Sequence, residues 1–183
     1  MNSLQGQLLL ASPDLRDPNF FHTVVLMVRH NDEGALGLVL NRPLKVRLGD
    51  VWNQVGEGSP ARNDVIHLGG PCEGPLMALH DEPTLGESEA LAGVHFATSR
   101  ELLEQLVADP ARQASFFAGF AGWSPGQLED EMSEGSWLTM PAAADHVFSA
   151  DADLWEKLTR ELSGRQIIDT LHIRHVPPDL RMN

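Results

Sequence analysis

The chain has 183 residues, 42% of them hydrophobic and 21% charged, with a formal net charge of −13. That length suits one self-sufficient domain spanning residues 1–183. Thirteen basic residues scattered among twenty-six acidic ones argue against direct nucleic-acid binding, which needs clustered Lys and Arg on phosphates.

Cys72 is the single cysteine, so no internal disulfide forms, and with no tyrosine there is no phenolic catalyst. The strongly apolar runs, such as Val24 to Val28, fall far short of the ~20 residues that span a bilayer. No membrane partner is expected. Residues 1–7 lack the basic n-region of a signal peptide, so the expected location is cytoplasmic.

The first third reads as sheet. The run Thr23 to Val28 and the run Leu36 to Leu40 flank the turn-forming Asn31-Asp32-Glu33-Gly34, which predicts a hairpin. Both runs are apolar almost throughout and should be covered on both faces. Pro43 is expected to end the second strand. Leu48, Val51, Trp52 and Val55 recur at helical spacing, predicting a short helix closed by Gly56. Residues 65–68, 76–80 and 93–97 read as strands.

Helical signals follow. Thr98 and Glu101 suggest a capping box for a helix with Leu102, Leu103, Leu106 and Val107 on one face and Pro110 beyond its end. Residues 116–122 predict a buried strand. A helix should start at Ser124, with Leu128 and Met132 inward and Gly135 as terminator. Leu154, Trp155, Leu158 and Leu162 mark a last helix from about Asp153 to Ser163, with Gly164 beyond, and residues 176–181 look irregular. With strands mostly preceding helices, the expected class is α+β.

The string Gly122-x-Ser124-x-Gly126 matches the serine-hydrolase elbow. An elbow, however, uses the N–H of the residue after the serine as an oxyanion donor, and Pro125 has none. The same residues suit a helix start, with Ser124 as N-cap, Pro125 at N1 and Gln127 closing a capping box. Asn41 and Arg42 stand where an apolar strand meets Pro43, and an arginine fork there can clamp a carboxylate or phosphate. The alternative is an arginine–acid pair on the rim beside an Asn turn. Gly69-Gly70 ahead of Pro71 suits either an anion-binding nest or a tight turn. Cys72 has no activating base beside it and reads as a core thiol.

Of eight histidines, only His172-x-x-His175 has metal-like spacing, with no acidic or thiol partner beside it, so neither metal nor cofactor is expected. Glu129, Asp130, Glu131 and Glu134 suit a solvated helix face that complements the N-terminal dipole. Trp123 and Trp137 bracket that helix as core residues or as walls of a groove.

Many short motifs in order carry a resemblance to a known family. They include Leu8-Leu9-Leu10-Ala11-x-Pro13, Asp17-Pro18-x-Phe20, Gly34-Ala35-x-Gly37-Leu38-Val39-Leu40-Asn41-Arg42-Pro43 and Gly69-Gly70-Pro71. Further along come Leu79-His80, Gly119-Phe120-Ala121-Gly122-Trp123, Gly126-Gln127-Leu128-Glu129 and Trp137-Leu138-x-x-Pro141. Over nearly its whole length the chain resembles the AlgH/YqgE family of bacterial proteins. The resemblance implies an α+β fold whose antiparallel, partly barrel-like sheet is flanked by helices. It implies no established activity, though some members are labelled regulators of alginate transcription. Phe120 stands where the family usually has tyrosine, and Cys72 where it has an aliphatic residue.

The function expected from the sequence is a binding or regulatory module. Its groove would be lined by Asn41, Arg42, Gly69, Gly70 and Trp123 and would receive a small anionic ligand or a protein partner. The rival is an enzyme with His30, His80 or Glu129 as acid–base group. A third possibility, transcriptional control, follows only from the family label.

Overall fold

A computed structural model describes residues 3–55, 59–149 and 151–170. Gly56, the His172–His175 pair and residues 176–181 lie outside them. The chain runs through strands β1 (Gln7–Ala11), β2 (Val24–Asn31), β3 (Gly34–Val39) and β4 (Pro43–Arg47), helix α1 (Leu48–Val55), and strands β5 (Val65–Leu68) and β6 (Cys72–His80). After a 3-10 turn at Pro83–Leu85 come β7 (Ser88–Leu91), β8 (Val94–Ala97), α2 (Arg100–Ala108), β9 (Ala114–Trp123) and α3 (Gln127–Ser133). β10 (Trp137–Pro141), α4 (Ala144–Phe148) and α5 (Leu154–Thr170) complete it.

Ten strands form one sheet in the order β10-β1-β2-β3-β9-β6-β8-β7, with β4 and β5 branching from β9. Every pairing is antiparallel except β5 with β9. The far strand β7 comes back against β2, so the sheet curls like a barrel without closing. The α+β class with a flanked, partly barrel-like antiparallel sheet is what the structure shows.

Strand alternation sorts side chains between the inside of the curl and its outside. Leu8, Leu10, Leu26, Leu38, Met77, Leu79 and Phe117 fill the inside, where Leu154, Trp155 and Leu158 of α5 join them. On the outside, Leu9, Val25, Met27, Val39 and Trp123 pack beneath Leu128 of α3. Ile66, Ala78 and Phe116 pack with Leu48 and Trp52 of α1 and Leu103 and Leu106 of α2. The two expected strands do form the β2–β3 hairpin, buried on both faces.

β9 is the hub. On one edge it pairs with β6; on the other it pairs with β5 over Phe116–Ala118 and then with β3 over Ala121–Trp123. Gly119, at φ +72°, marks the change of partner, and Gly69 and Gly70 press against it. A Cβ on Gly69 would overlap the Gly119 carbonyl, and one on Gly70 would overlap the backbone of Phe120 and Ala121. These glycines let two backbones touch.

Four local expectations differ from what forms. Pro43 opens β4 rather than stopping the sheet, which proline tolerates as the first residue of a strand. The start of α2 is held not by Thr98 with Glu101 but by Glu87, whose carboxylate accepts from the Thr98 and Ser99 N–H groups at 3.1 and 2.6 Å. At Ser124 a turn precedes α3: Gln127 N–H bonds the Ser124 carbonyl at 3.1 Å, and Gly126 sits at φ +80°, ψ −16°. With Pro125 before it, that is type II turn geometry. Only half of the capping box exists, the Gln127 side chain accepting from Ser124 N–H at 3.1 Å. The last helix runs through Gly164 to Thr170.

Gly70→Ala should cost about 3 kcal/mol, because the overlap is with backbone that has nowhere to move. Gly93→Ala, at φ +76° with open space around it, should cost about 1 kcal/mol from backbone conformation alone. Urea unfolding of both variants checks the difference.

Candidate functional site

One extra residue in β2 decides what the mouth of the curl presents. Leu26 pairs with Leu38 and Met27 with Gly37, but then Arg29 pairs with Leu36 and His30 with Ala35. Val28 is therefore the bulge. Were Val28 paired in a regular strand, Arg29 would share the outer face of Val25 and Met27. A one-residue slip exchanges faces, so Arg29 joins Leu36 on the inner side while His30 joins Ala35 beneath α3.

β6 bulges between Cys72 and Leu76 and β7 between Glu89 and Leu91. In this part of the curl lies a cavity of about 450 Å³. Leu36, Met77, Phe96 and Phe120 give it an apolar floor, and Arg29, Glu87, Ser88 and Thr98 give it a polar rim. Among the described residues Arg29 makes no hydrogen bond or ion pair. The Phe120 ring stands where a Cβ on Gly74 or Gly122 would touch it, so two glycines leave that ring its place.

Beneath α3 the polar groups bond to one another. His30, 6% exposed, accepts the Leu4 N–H at Nδ1 (3.0 Å) and faces Glu129 Oε1 from Nε2 at 2.8 Å. The first bond fixes the proton on Nε2, which donates to the carboxylate. With both nitrogens used, His30 has none left to take a proton from a substrate. Glu131 Oε2 accepts from the indole N–H groups of Trp123 and Trp137 at 2.9 and 2.8 Å, and Oε1 accepts from Gln127 at 3.0 Å. The indoles meet edge to face, with Phe20 against both.

The sequence-derived site residues fall in three places. Asn41, 7% exposed, accepts from Val24 N–H and donates to the His22 carbonyl, both at 2.9 Å. Arg42 donates to the carbonyls of Asn19, Pro18 and Phe21 at 2.6, 3.2 and 3.3 Å. Burial lowers its pKa and Asp17 opposes that. These two side chains hold the loop before β2. Gly69 and Gly70 lie against β9, where Gly70 also lines a second cavity of about 420 Å³ beside Cys72. Trp123 lies under α3.

His80 is fully buried, its Nδ1 accepting from Glu82 N–H at 3.3 Å and its Nε2 without a partner among the described residues. Burial first, then His95 and Arg112, lower its pKa from 6.5 to about 4, against the pull of Asp81 and the Leu85 carbonyl. A ring sealed from solvent reaches no substrate.

Against known proteins, the family model described as AlgH-like matches residues 8–166. The chain belongs to the AlgH-like family. It is 37% identical over 166 residues to a UPF0301 protein of Chlorobaculum tepidum, covering 87% of each chain. It is 40% identical over 161 residues to one of Xanthomonas euvesicatoria, covering 84% of this chain and 86% of the other. The solution structure of AlgH from Pseudomonas aeruginosa superposes with a TM-score of 0.73 at 29% identity, over 98% of this chain and 99% of that one. A crystal structure from Corynebacterium diphtheriae shares the fold, with a TM-score of 0.70 at 21% identity and 88% coverage of both.

Within this AlgH-like chain the mouth residues Arg29 and Phe96 were not singled out by sequence reasoning, and Leu36 and Thr98 only as part of a strand and as a helix cap. Arg29 and His30 directly follow an apolar strand, and that juxtaposition is the one available signal. Strict alternation assigns each of them to the wrong face.

Glu131→Ala would leave two indole N–H groups without an acceptor and should cost about 2 kcal/mol, read by tryptophan-detected urea unfolding. His80 binds a proton less readily folded than unfolded, so stability is full above about pH 6.5 and falls as pH drops toward 4. At about 1.4 kcal/mol per unit the whole effect is about 3 kcal/mol. Relative to the native chain, His80→Gln should flatten the melting-temperature profile over that window.

Proposed function

We propose that this AlgH-like protein is a binding module that takes a small apolar anion in the mouth of its curled sheet. The supporting observation is Arg29: a guanidinium turned to the inner face by a bulge, unpaired among the described residues, over a floor of Leu36, Met77, Phe96 and Phe120. Concave, mainly apolar sites with a few polar groups that fix orientation are the usual form of small-molecule pockets. A volume near 450 Å³ falls within their ~300–1,000 Å³ range. A barrel-like sheet also offers such a mouth to one small ligand.

Binding without turnover fits the side chains around it. His30 has both nitrogens bonded within the protein, and His80 is sealed. The Ser124 hydroxyl makes no hydrogen bond to a base among the described residues, and Pro125 follows it without an N–H. A nucleophile–base–oxyanion set is thus not assembled among them. The ligand belongs at the mouth rather than at Asn41 and Arg42, whose polar atoms are spent on backbone. A net charge of −13 makes an effect on transcription, if any, one exerted through another protein rather than through DNA contact.

An amide-resolved NMR titration with small aromatic carboxylates, some carrying a second charged group, tests this. Shifts should concentrate at Arg29, Leu36, Met77, Phe96 and Phe120, and Arg29→Ala should weaken binding by about tenfold or more. Shifts confined to other surfaces, or affinity unchanged in Arg29→Ala, would remove the mouth as the site.

A further inference from the structure

The rim of the mouth carries a second charge, of opposite sign. Glu87 lines the same cavity as Arg29, yet the two form no ion pair among those of the described residues. The reason lies in α2. Glu87 Oε1 is held by the backbone N–H groups of Thr98 and Ser99, and Thr98 is itself a lining residue. The helix start therefore anchors the carboxylate on the β7–β8 side, while the Val28 bulge anchors the guanidinium on the β2–β3 side. The second carboxylate oxygen, Oε2, accepts no hydrogen bond among the described residues.

We infer that the ligand of this mouth is a zwitterion on an apolar body, of the kind a free hydrophobic amino acid presents. Its carboxylate would meet Arg29, its ammonium group would meet Glu87, and its side chain would rest on Phe96, Phe120, Leu36 and Met77. This rests on the mouth being the ligand site, and it adds a specificity. A plain anion satisfies Arg29 but brings a like charge toward Glu87, and a plain cation does the reverse. Discrimination built from repulsion as well as attraction is the ordinary way a pocket rejects near relatives of its ligand.

Calorimetric titration of the full chain with phenylalanine, hydrocinnamate and phenethylamine separates the cases, since the three share a ring and differ in charge. Phenylalanine should bind about tenfold more tightly than either singly charged relative. Glu87→Gln keeps a carbonyl oxygen for the Thr98 and Ser99 N–H groups while removing the charge. It should lower the melting temperature only slightly, since a carbonyl still caps the helix, and bring phenylalanine down to the level of hydrocinnamate. Hydrocinnamate binding as tightly as phenylalanine, or a preference that survives Glu87→Gln, overturns the inference. If that hydrocinnamate binding is lost in Arg29→Ala, the proposed function stands and only the zwitterion falls. If none of the three binds, both fall.

Discussion

Where β9 exchanges β5 for β3 as its neighbour, three glycine backbones meet at distances that no side chain permits. Gly69 and Gly70 leave β5 and run onto Gly119 and Phe120. From there Gly69 accepts a hydrogen bond from Val39 at 2.8 Å and donates one to Ala118 at 2.9 Å. That contact stitches the β4–β5 branch to the main sheet and fixes where β6 begins. The cavity walls on β6 and β9 follow from it, because Cys72 pairs with Phe120 directly beyond the junction. Close packing of backbone on backbone leaves no room to relax, so the geometry of the wall is set by contact rather than by a flexible loop.

The two faces of the sheet then divide the work. The outer face under α3 is a satisfied polar and aromatic joint: one carboxylate takes both indole donors, another takes the His30 proton, and Gln127 closes the set. Groups so engaged define where α3 docks on the sheet. The inner face is mainly aliphatic and aromatic until the mouth, where charge first appears. The scaffold ties up its polar groups on one side and leaves the Arg29 cation open on the other.

Much of this architecture was legible in the residues and some was not, for identifiable reasons. The β2–β3 hairpin announces itself because two apolar runs flank a turn of Asn, Asp, Glu and Gly, and α1 because Leu48, Val51 and Trp52 keep helical period. Ser88–Leu91 carries little strand signal, since β7 is a short strand held by β8 at its outer side, and strand formation there depends on the partner. β4, with Pro43, Lys45 and Arg47, reads like a loop because such residues blunt an exposed edge. The motif residues were legible as special but not in what they do. Arg42 shows its role only once the loop before β2 folds over it, and Gly70 only once β9 arrives from fifty residues away in the chain. Arg29 was hidden by the bulge, which follows no local composition rule and reverses the facing that alternation assigns.

The same inserted position in β2 has a genetic consequence. Because the turn at Asn31–Gly34 sets Arg29 opposite Leu36 and His30 opposite Ala35, loss of the Val28 codon would straighten the strand and still leave the guanidinium at the pocket and the imidazole beneath α3. The cation of the mouth and the latch of α3 cannot drift apart independently. Natural variation should therefore tolerate gain or loss of the bulge residue while holding constant the number of residues between Arg29 and the turn, as a ruler built into the hairpin.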